Sequence, residues 1–348
     1  MNKMKWLLSL FLLLFVTDLS AQEQKYKVSA IGFYNLENLF DTINQPDAND
    51  EEFTPLGSNN YTAEVYLDKL SRLAEVISQI AIEETPDGPA ILGVAEIENK
   101  SVLEDLVNHP KIKERNYKIV HHDSPDLRGV DVGLLYNPKY FKVKKSESLF
   151  VPLFENDRTP VFTRNILYVF GFFDGEPLHI FVNHWPSRRA GEEASAPRRM
   201  QAAAIAKEKI DSIARVNPKA KIILMGDLND DPISPSVIKT LGAKIDSSKV
   251  GKGDLYNPWN EFYKKGIGSN AYNDSWNLFD QIIISSPFLD RDQKGLRYRK
   301  AVIFNKPFML EKTGRYKGYP KRTYSFGQYI GGYSDHFPTY IVLVKKVN

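Results

Sequence analysis

Apolar residues recur along this chain in short runs separated by polar stretches, and the runs have the length of β-strands. Some are continuously apolar, as in strands buried on both faces, and others alternate with polar residues, as in strands with one exposed face. Eight strands are predicted, over Lys27–Tyr34, Ala90–Ala95, Val132–Tyr136, Leu167–Phe173, Leu178–Asn183, Lys221–Met225, Gln281–Ser285 and Tyr340–Val344. The mixture of patterns indicates a mixed sheet covered by helices.

Two helical stretches lie between these runs. In the first, apolar positions spaced by four and three residues share one face, namely Tyr66, Leu70, Leu73, Ile77 and Ile80 within residues 64–80. The second is predicted over residues 198–214, where Pro197 suits the first turn of a helix. Residues 44–60 and 250–275 are polar and rich in turn formers, so we expect long surface loops there.

The first residues have the pattern of a secretory signal peptide. Lys3 and Lys5 precede an apolar run over residues 6–16, and Ser20-Ala21 offers small residues for cleavage. This run is too short to span a bilayer stably, and we predict no membrane span elsewhere. The expectation is therefore a signal peptide over 1–21, one domain over 22–348, and a monomer exported to the periplasm or out of the cell.

Composition narrows the chemistry. The 348 residues include no cysteine, which excludes thiol nucleophiles and cysteine zinc sites, and the formal net charge is +3. An exported domain without disulfides is held together by its core or by bound metal and ligand. A charge this near zero argues against strong non-specific binding of polyanions by the whole surface.

Polar residues stand at the ends of several predicted strands. Asp227 and Asn229 follow the run Lys221–Met225, and residues two apart in a strand face the same side. A carboxylate at the end of a buried strand calls for a cation or another partner. Similar clusters end or begin the other runs, at Asn35-Leu36-Glu37, Glu96, Asn183-His184, Asp280 and Ser334-Asp335-His336.

These residue types suit phosphoryl transfer. Oxygen ligands such as Glu37 and Glu96, joined by Asp335, fit hard cations such as Mg²⁺, Mn²⁺ or Ca²⁺. His184 and His336 then remain to move protons or to stabilise developing charge. Each cluster taken singly is also explained as a turn or helix cap; their joint occurrence in one chain favours a site.

The ordered set Asn35-x-Glu37, Glu96, Asn183-His184, Gly226-Asp227-x-Asn229, Asp280 and Ser334-Asp335-His336 resembles the endonuclease/exonuclease/phosphatase superfamily. The resemblance covers residues 27–344. Residues 33–41 and 183–188 are most similar to a branch of secreted bacterial members usually described as endonucleases. The resemblance implies an α/β (α+β) four-layer sandwich, in which two mixed β-sheets pack face to face with helices outside.

The resemblance also implies roles for the polar residues. Glu96 would be the main ligand of Mg²⁺ or Mn²⁺, with Asn35, Glu37 and Asp335 around it. Five residues would carry out catalysis. Asp227 would orient or deprotonate the water, Asn229 would hold the scissile phosphate, and His336 would donate a hydrogen bond to that phosphate or act as the base. His184 would stabilise the transition state, and Asp280 would orient His184. At the position of Glu37 some branches have aspartate, and the family's mid-chain tyrosine and arginine have no clean match, Arg128 being the nearest candidate.

The substrate is the most open question at this point. Residues 291–323 contain eleven Lys or Arg with aromatics between them, a pattern that suits a nucleic-acid backbone and its bases or a solvated loop. A second basic cluster, Arg188, Arg189, Arg198 and Arg199, follows His184. Candidate substrate-binding residues are Arg128, Asn183, Arg188 and Arg189.

We therefore predict an exported, metal-dependent endonuclease of low specificity for DNA and/or RNA. The alternatives are a phosphatase or phosphodiesterase on inositol phosphates or phospholipid headgroups, and a binding protein that has lost the chemistry. Ca²⁺ is a further candidate ion, and residues 47–52 form either a structural Ca²⁺ loop or a solvated acidic turn.

Overall fold

A computed structural model of the chain describes residues 25–189, 191–290 and 295–347. The predicted signal peptide over 1–21 lies outside these residues. The helices are α1 (Ala63–Gln79), α2 (Lys100–Asn108), α3 (Glu192–Val216) and α4 (Asn260–Lys264). Short 3₁₀ turns lie at Glu51–Phe53, Lys113–Arg115, Ser247–Lys249, Ser286–Phe288 and Pro307–Met309, with a π-helical turn at Ser236–Thr240. None of the helices within the described ranges is long and apolar enough to cross a membrane.

The strands fall into two large sheets and three small hairpins. In chain order they are β1 (Tyr26–Leu39), β2 (Pro89–Ile97), β3 (Lys118–His121), β4 (Asp131–Tyr136), β5 (Phe141–Leu149), β6 (Leu153–Phe154), β7 (Pro160–Val161), β8 (Ile166–Phe173), β9 (Glu176–His184), β10 (Lys221–Asp227), β11 (Ala243–Lys244), β12 (Leu255–Tyr256), β13 (Asn270–Tyr272), β14 (Ser275–Asn277), β15 (Asp280–Ser285), β16 (Arg297–Ile303), β17 (Tyr324–Ser325), β18 (Gln328–Tyr329) and β19 (Thr339–Lys346). The first sheet has the order β16-β19-β1-β2-β4-β3, and the second has the order β11-β12-β15-β10-β9-β8-β5. Each sheet mixes parallel and antiparallel neighbours, since β1–β2 and β9–β10 are parallel while β1–β19 and β10–β15 are antiparallel.

Alternation along β10 shows how the layers stack. Ile223 and Met225 belong to the core between the two sheets, whereas Ile222 and Leu224 pack with residues of α3. The sheets approach so closely that a side chain at Gly93 would place its Cβ 2.5 Å from the Met225 sulfur. Asp227 continues the inward-facing series of β10, so its carboxylate points to the end of the cleft between the sheets.

Helices cover both outer faces. The apolar face of α1, including Leu70, Leu73 and Ile77, is buried with the first sheet. On the second sheet, Ala202 and Ala206 of α3 allow the helix to pack closely on the strands. The predicted four-layer sandwich of two mixed sheets with helices outside is confirmed; the domain limits 22–348 stay a prediction.

The eight predicted strands are all present within the described chain, and most are longer at their ends. The sequence pattern missed β5, whose residues 142–148 are largely polar because it is an edge strand with an exposed face. The prediction for Pro197 was wrong, since α3 begins at Glu192 and the proline lies inside the helix. There the Glu192 carbonyl accepts a hydrogen bond from Arg199 Nη2 at 2.9 Å, which supports the start of the helix.

Candidate active site

The polar ends of five strands meet at one edge of the sandwich. Asn35 lies in the buried part of β1, and its Nδ2 donates to Asp227 Oδ2 at 3.0 Å, which joins the two sheets directly. Ser334, just before β19, donates from Oγ to the Asn35 carbonyl at 2.7 Å. Parallel pairing of β1 with β2 and of β9 with β10 brings Glu96 and His184 to the same edge.

Asp227 lies between the two histidines. His184 Nε2 is 3.7 Å from Asp227 Oδ2, and His336 Nε2 is 3.9 Å from the same oxygen. The other carboxylate oxygen, Oδ1, accepts the backbone N–H of Asn229 at 2.9 Å. Burial raises the pKa of Asp227 to about 7, against the opposing effect of His336.

Three further carboxylates line the side of the first sheet. Glu96 Oε2 accepts the Asn38 N–H at 3.0 Å and its Oε1 is 3.7 Å from His184 Nε2. Glu37 Oε2 accepts the Thr323 N–H at 2.7 Å. Burial, and then the nearby Asp335, raises the pKa of Glu37 to about 7. Carboxylates crowded in this way are stabilised by a positive charge placed among them.

This donor set fits a hard divalent cation. Glu96, His184 and Asp227 each place a ligand atom within 4.8 Å of the others. Carboxylate oxygens dominate, and hard ions such as Mg²⁺, Mn²⁺ or Ca²⁺ prefer them. Of the residues predicted to hold such an ion, Glu96 belongs to this group, while Asn35, Glu37 and Asp335 stay predicted ligands.

Two cations lie beside these carboxylates, and neither was among the predicted site residues. Lys69 of α1 is fully buried and donates from Nζ to the Glu37 carbonyl at 2.6 Å and to Thr323 Oγ1 at 2.8 Å. Arg322 Nη2 is 2.9 Å from Asp335 Oδ2. A charged residue three positions after Tyr66, on the apolar face of α1, was the available signal for Lys69.

His336 is surrounded by acids and amides. Its Nδ1 lies 2.7 Å from Asp280 Oδ2, and that oxygen also accepts a hydrogen bond from Ser269 Oγ at 2.5 Å. Asn270 Nδ2 is 3.3 Å from His336 Nε2. Burial lowers the pKa of His336, but Asp280 and Asp227 together outweigh it and hold the pKa well above 6.5.

The predicted pairing of Asp280 with His184 was therefore wrong. In the register of the second sheet, Asp227 pairs with Asp280 on one side and with His184 on the other. Strand β10 thus separates the carboxylate from His184, while the loop before β19 brings His336 onto it. Register between distant strands cannot be read from the order of motifs along the chain.

His184 has basic neighbours instead. Arg164 donates from Nε to the His184 carbonyl at 3.1 Å and from Nη2 to the Trp185 carbonyl at 2.6 Å. Asp126 holds Arg164 at 2.8 Å and Arg128 at 3.4 Å. Burial, and then these two arginines, puts the pKa of His184 well below 6.5. Its Nδ1 is buried and has no hydrogen-bond partner within the described part of the chain.

Comparison with known proteins identifies the family of the chain. The model of the "Endonuclease/Exonuclease/phosphatase family" matches residues 30–345. The chain belongs to this family. The family comprises hydrolases of phosphate esters, which are generally dependent on divalent metals. No curated protein matches the chain significantly.

Several solved structures share the family fold. An endonuclease/exonuclease/phosphatase family protein from Bacteroides thetaiotaomicron is 16% identical, with a TM-score of 0.54 over 92% of this chain and 96% of that one. TDP2 of D. rerio, complexed with a single-strand DNA product, is 14% identical with a TM-score of 0.54, over 91% and 98% of the two chains. A mannosyl-6-phosphatase of Bacteroides thetaiotaomicron is 17% identical with a TM-score of 0.52, over 92% and 100%.

Two of the candidate residues are tied into the scaffold around this candidate site. Asn183 is fully buried, donates from Nδ2 to the Met225 carbonyl at 3.1 Å and accepts from Trp185 Nε1 at 3.0 Å. Arg188 Nη2 lies 3.1 Å from Asp230 Oδ1 and 3.2 Å from Asp231 Oδ2. These contacts fix the loop after His184.

The remaining candidates face the site or its surroundings. Asn229 donates from Nδ2 to the Trp185 carbonyl at 3.0 Å, beside Asp227. Arg128 and Arg189 line a cleft with Arg164 and Arg198. Arg199 of the second basic cluster is buried against Asp230 at 2.7 Å. The cluster thus divides into a buried scaffold and an exposed cleft wall.

Proposed function

We propose that this family member is a metal-dependent phosphodiesterase, and specifically an endonuclease of low sequence specificity for DNA and/or RNA. The observation that carries the proposal is that two clefts with arginines in their walls lie near the two histidines. One is lined by Asp335, the chain neighbour of His336, and the other by Arg164, which bonds the His184 carbonyl. A chain of phosphodiesters can lie across such a site, with one phosphate at Asp227 and its neighbours in the clefts.

The first cleft adjoins His336. It has a volume of about 500 Å³, and its charged lining residues are Arg315 and Arg322 together with Asp274, Glu311 and Asp335. Arg315 is paired with Asp274 and Arg322 with Asp335. The second adjoins His184 and is lined by four arginines, Arg128, Arg164, Arg189 and Arg198. Arginine binds phosphate oxygens in bidentate fashion, and such contacts position a nucleic acid without reading its sequence.

The chain's own residues supply the steps of an in-line displacement. A divalent cation bound by Glu96, Asn35, Glu37 and Asp335 would polarise the phosphoryl oxygen and offset its charge. Asp227, held by Asn35 and Asn229, orients the attacking water and accepts its proton as the bond between phosphorus and the leaving oxygen breaks. The leaving oxyanion then takes a proton from solvent. His336, which Asp280 keeps protonated, donates a hydrogen bond to a phosphate oxygen, and Asn229 and His184 contact the developing charge. The pKa direction favours this donor role for His336 over that of a base.

A phosphatase acting on a small phosphate ester is the second candidate. The cleft beside His336 has the volume of a small-ligand pocket, and one structural neighbour is a mannosyl-6-phosphatase. Export to the periplasm or the medium completes the proposal, and it is supported by the signal-peptide pattern over residues 1–21.

The test is incubation of the mature protein with supercoiled plasmid in Mg²⁺, in Mn²⁺ with Ca²⁺, and in EDTA. We expect nicking that needs the metal and is lost in His336→Ala. Absence of nicking with every metal, together with phosphate release from inositol phosphates, sugar phosphates or phospholipid headgroups, would replace the nuclease with a phosphatase. Metal-independent nicking would contradict the metal site.

A further inference from the structure

Two hairpins carry residues that line the cleft beside His336. One is formed by β13 and β14 and turns at Asn273 and Asp274, whose φ values are 48° and 59°. The other is formed by β17 and β18 and turns at Phe326 and Gly327, with φ values of 49° and 73°. Two-residue turns with both φ values positive are type I′ turns, in which asparagine, aspartate and glycine are preferred.

Phe326 is the residue that does not fit this preference. A bulky side chain at positive φ is strained, and the ring of Phe326 is 95% exposed, so packing against the protein does not offset the strain. Asparagine at this position would make the favoured Asn-Gly turn. An aromatic ring held in a strained turn and left in solvent points to a ligand that covers it.

Other aromatic side chains share the same cleft. Tyr272 of the first hairpin is 69% exposed, and Tyr316, on the intervening loop, is 45% exposed. Both line the cleft together with Phe326. These rings come from three separate segments of the chain, so their convergence is a property of the fold and not of one apolar run. The basic segment 291–323 contributes Tyr316, whereas Phe304 of the same segment is buried.

The aromatic wall continues to the catalytic edge. Tyr316 lies against Tyr319 with ring centroids 5.8 Å apart, and Tyr319 lies against Trp276 at 5.3 Å. Trp276 stacks on Phe337 at 6.1 Å, and Phe337 is the neighbour of His336 in the chain. The exposed ring of Tyr316 is therefore packed, through Tyr319 and Trp276, onto the segment that carries His336.

Cations lie among these rings. The Arg315 guanidinium is 6.0 Å from the centre of the Tyr316 ring and is held by Asp274 at 2.5 Å. Arg322 lines the same cleft and bonds Asp335. Exposed aromatic rings combined with arginines form the platforms on which proteins stack the bases of single-stranded nucleic acids, because every base has an aromatic face.

We propose that Tyr272, Tyr316 and Phe326 form a base-stacking subsite for the nucleotide next to the scissile phosphate. This inference rests on the proposed function, since it names the part of a nucleic acid that this side of the site holds. The subsite favours unpaired bases, because a base inside a duplex presents neither face to the rings. Single-stranded or locally opened substrate is therefore bound better than intact duplex.

The test compares a short, fluorescently labelled single-stranded oligonucleotide with an abasic one of equal length and charge, in EDTA so that nothing is cleaved. We expect the wild type to bind the base-containing strand about tenfold more tightly. Phe326→Asn and Tyr316→Ala should lose this preference while keeping the affinity for the abasic strand. Tyr26→Ala is the matched control, because Tyr26 is 46% exposed and lies at the opposite end of β1 from Asn35.

Thermal unfolding separates a lost contact from a damaged fold. Phe326→Asn should leave the unfolding temperature unchanged or raise it, because it relieves the strained turn. Equal binding of both strands by the wild type, in a protein that nicks plasmid with Mg²⁺, would overturn the subsite and leave the proposed function intact. Absence of nicking with every metal would overturn the proposed function and the subsite with it.

Discussion

The two histidines beside Asp227 are buried to a similar degree and lie in opposite electrostatic surroundings. His336 is 6% exposed and His184 is 4% exposed. Around His336, Asp280, Asp227 and Asp335 raise the pKa well above 6.5 despite burial. Around His184, burial and the guanidinium groups of Arg164 and Arg128 lower it well below 6.5.

Burial alone therefore does not decide the charge of a histidine. Desolvation disfavours the charged form of both rings, and the neighbouring charges then decide the outcome. In this site the neighbouring charges favour the cationic form of His336 and the neutral form of His184, on either side of a single carboxylate. Such a pair offers a charged hydrogen-bond donor on one side of the phosphate and a neutral partner on the other.

The largest expected effect comes from removing either ring. His336→Ala and His184→Ala should each lower the rate of phosphodiester hydrolysis about 10²–10⁴-fold, since each removes a group placed on the developing charge. Initial rates of plasmid nicking at fixed Mg²⁺ measure this. His122→Ala is the control, because His122 is exposed and bonds Ser146 outside the site. Wild-type rates in both variants would remove the histidines from the chemistry.

The stability of the basic surroundings of His184 is expected to depend on Asp126. Asp126→Ala leaves the buried guanidinium of Arg164 without its ion-pair partner, and breaking a buried pair in this way costs about 3 kcal/mol. Urea unfolding monitored by circular dichroism gives the free energy of unfolding. Glu261→Ala breaks the exposed pair with Lys264 and should change it by less than about 0.5 kcal/mol. A similar small change in Asp126→Ala would show that Arg164 is solvated or paired elsewhere.

The negative charge around His336 can be reduced without changing the shape of the site. Asp280→Asn keeps the size of the side chain but removes the charge that lies 2.7 Å from His336. Asp280 does not reach the phosphate in this arrangement, so it is a positioning residue. We expect about a 10-fold loss of rate, in the range of other supporting residues. The pH–rate profile should shift as well, because the cationic form of His336 loses its main partner; a loss of rate at every pH without that shift would indicate a structural role.

The smallest effect is on the pH dependence of stability in EDTA. A histidine whose pKa is raised on folding adds stability below its unfolded value of about 6.5, and that contribution is lost as the pH rises through the folded pKa. The loss of stability in His336→Gln relative to wild type should therefore be largest below about pH 6.5 and become smaller as the pH rises above it. For His184 the sign is reversed, since its contribution is present above about 6.5 and is lost as the pH falls. Thermal unfolding from acid to alkaline pH compares the two variants, and parallel curves would contradict the opposition.

Much of this arrangement could be predicted from the sequence. The strand-end residues were visible because buried strands that end in Asp227, Glu96 or His184 break the apolar pattern at one point. Their order along the chain resembles a known family, and this resemblance predicted that they form one site. The family and the fold are confirmed. The residue roles themselves stay predictions.

The remainder depended on contacts between distant segments. Arg164 and Asn270 stand in polar stretches without a pattern that marks them, and they reach the site through the pairing of β8 with β9 and through the β13–β14 hairpin. The histidine that Asp280 bonds is decided by the strand order and register of the second sheet, in which β10 lies between β15 and β9. Exposed rings such as Phe326 are ordinary in sequence and become informative when the turn geometry is known.

The central claim is that Asp227 lies between a cationic and a neutral histidine. The most direct measurement is an NMR titration of the histidine imidazole signals in the metal-free protein, assigned with His336→Gln and His184→Gln. We expect that at neutral pH the His336 ring carries both protons and the His184 ring carries one. Two rings that titrate together near the ordinary histidine pKa, or a neutral His336 at neutral pH, would contradict it.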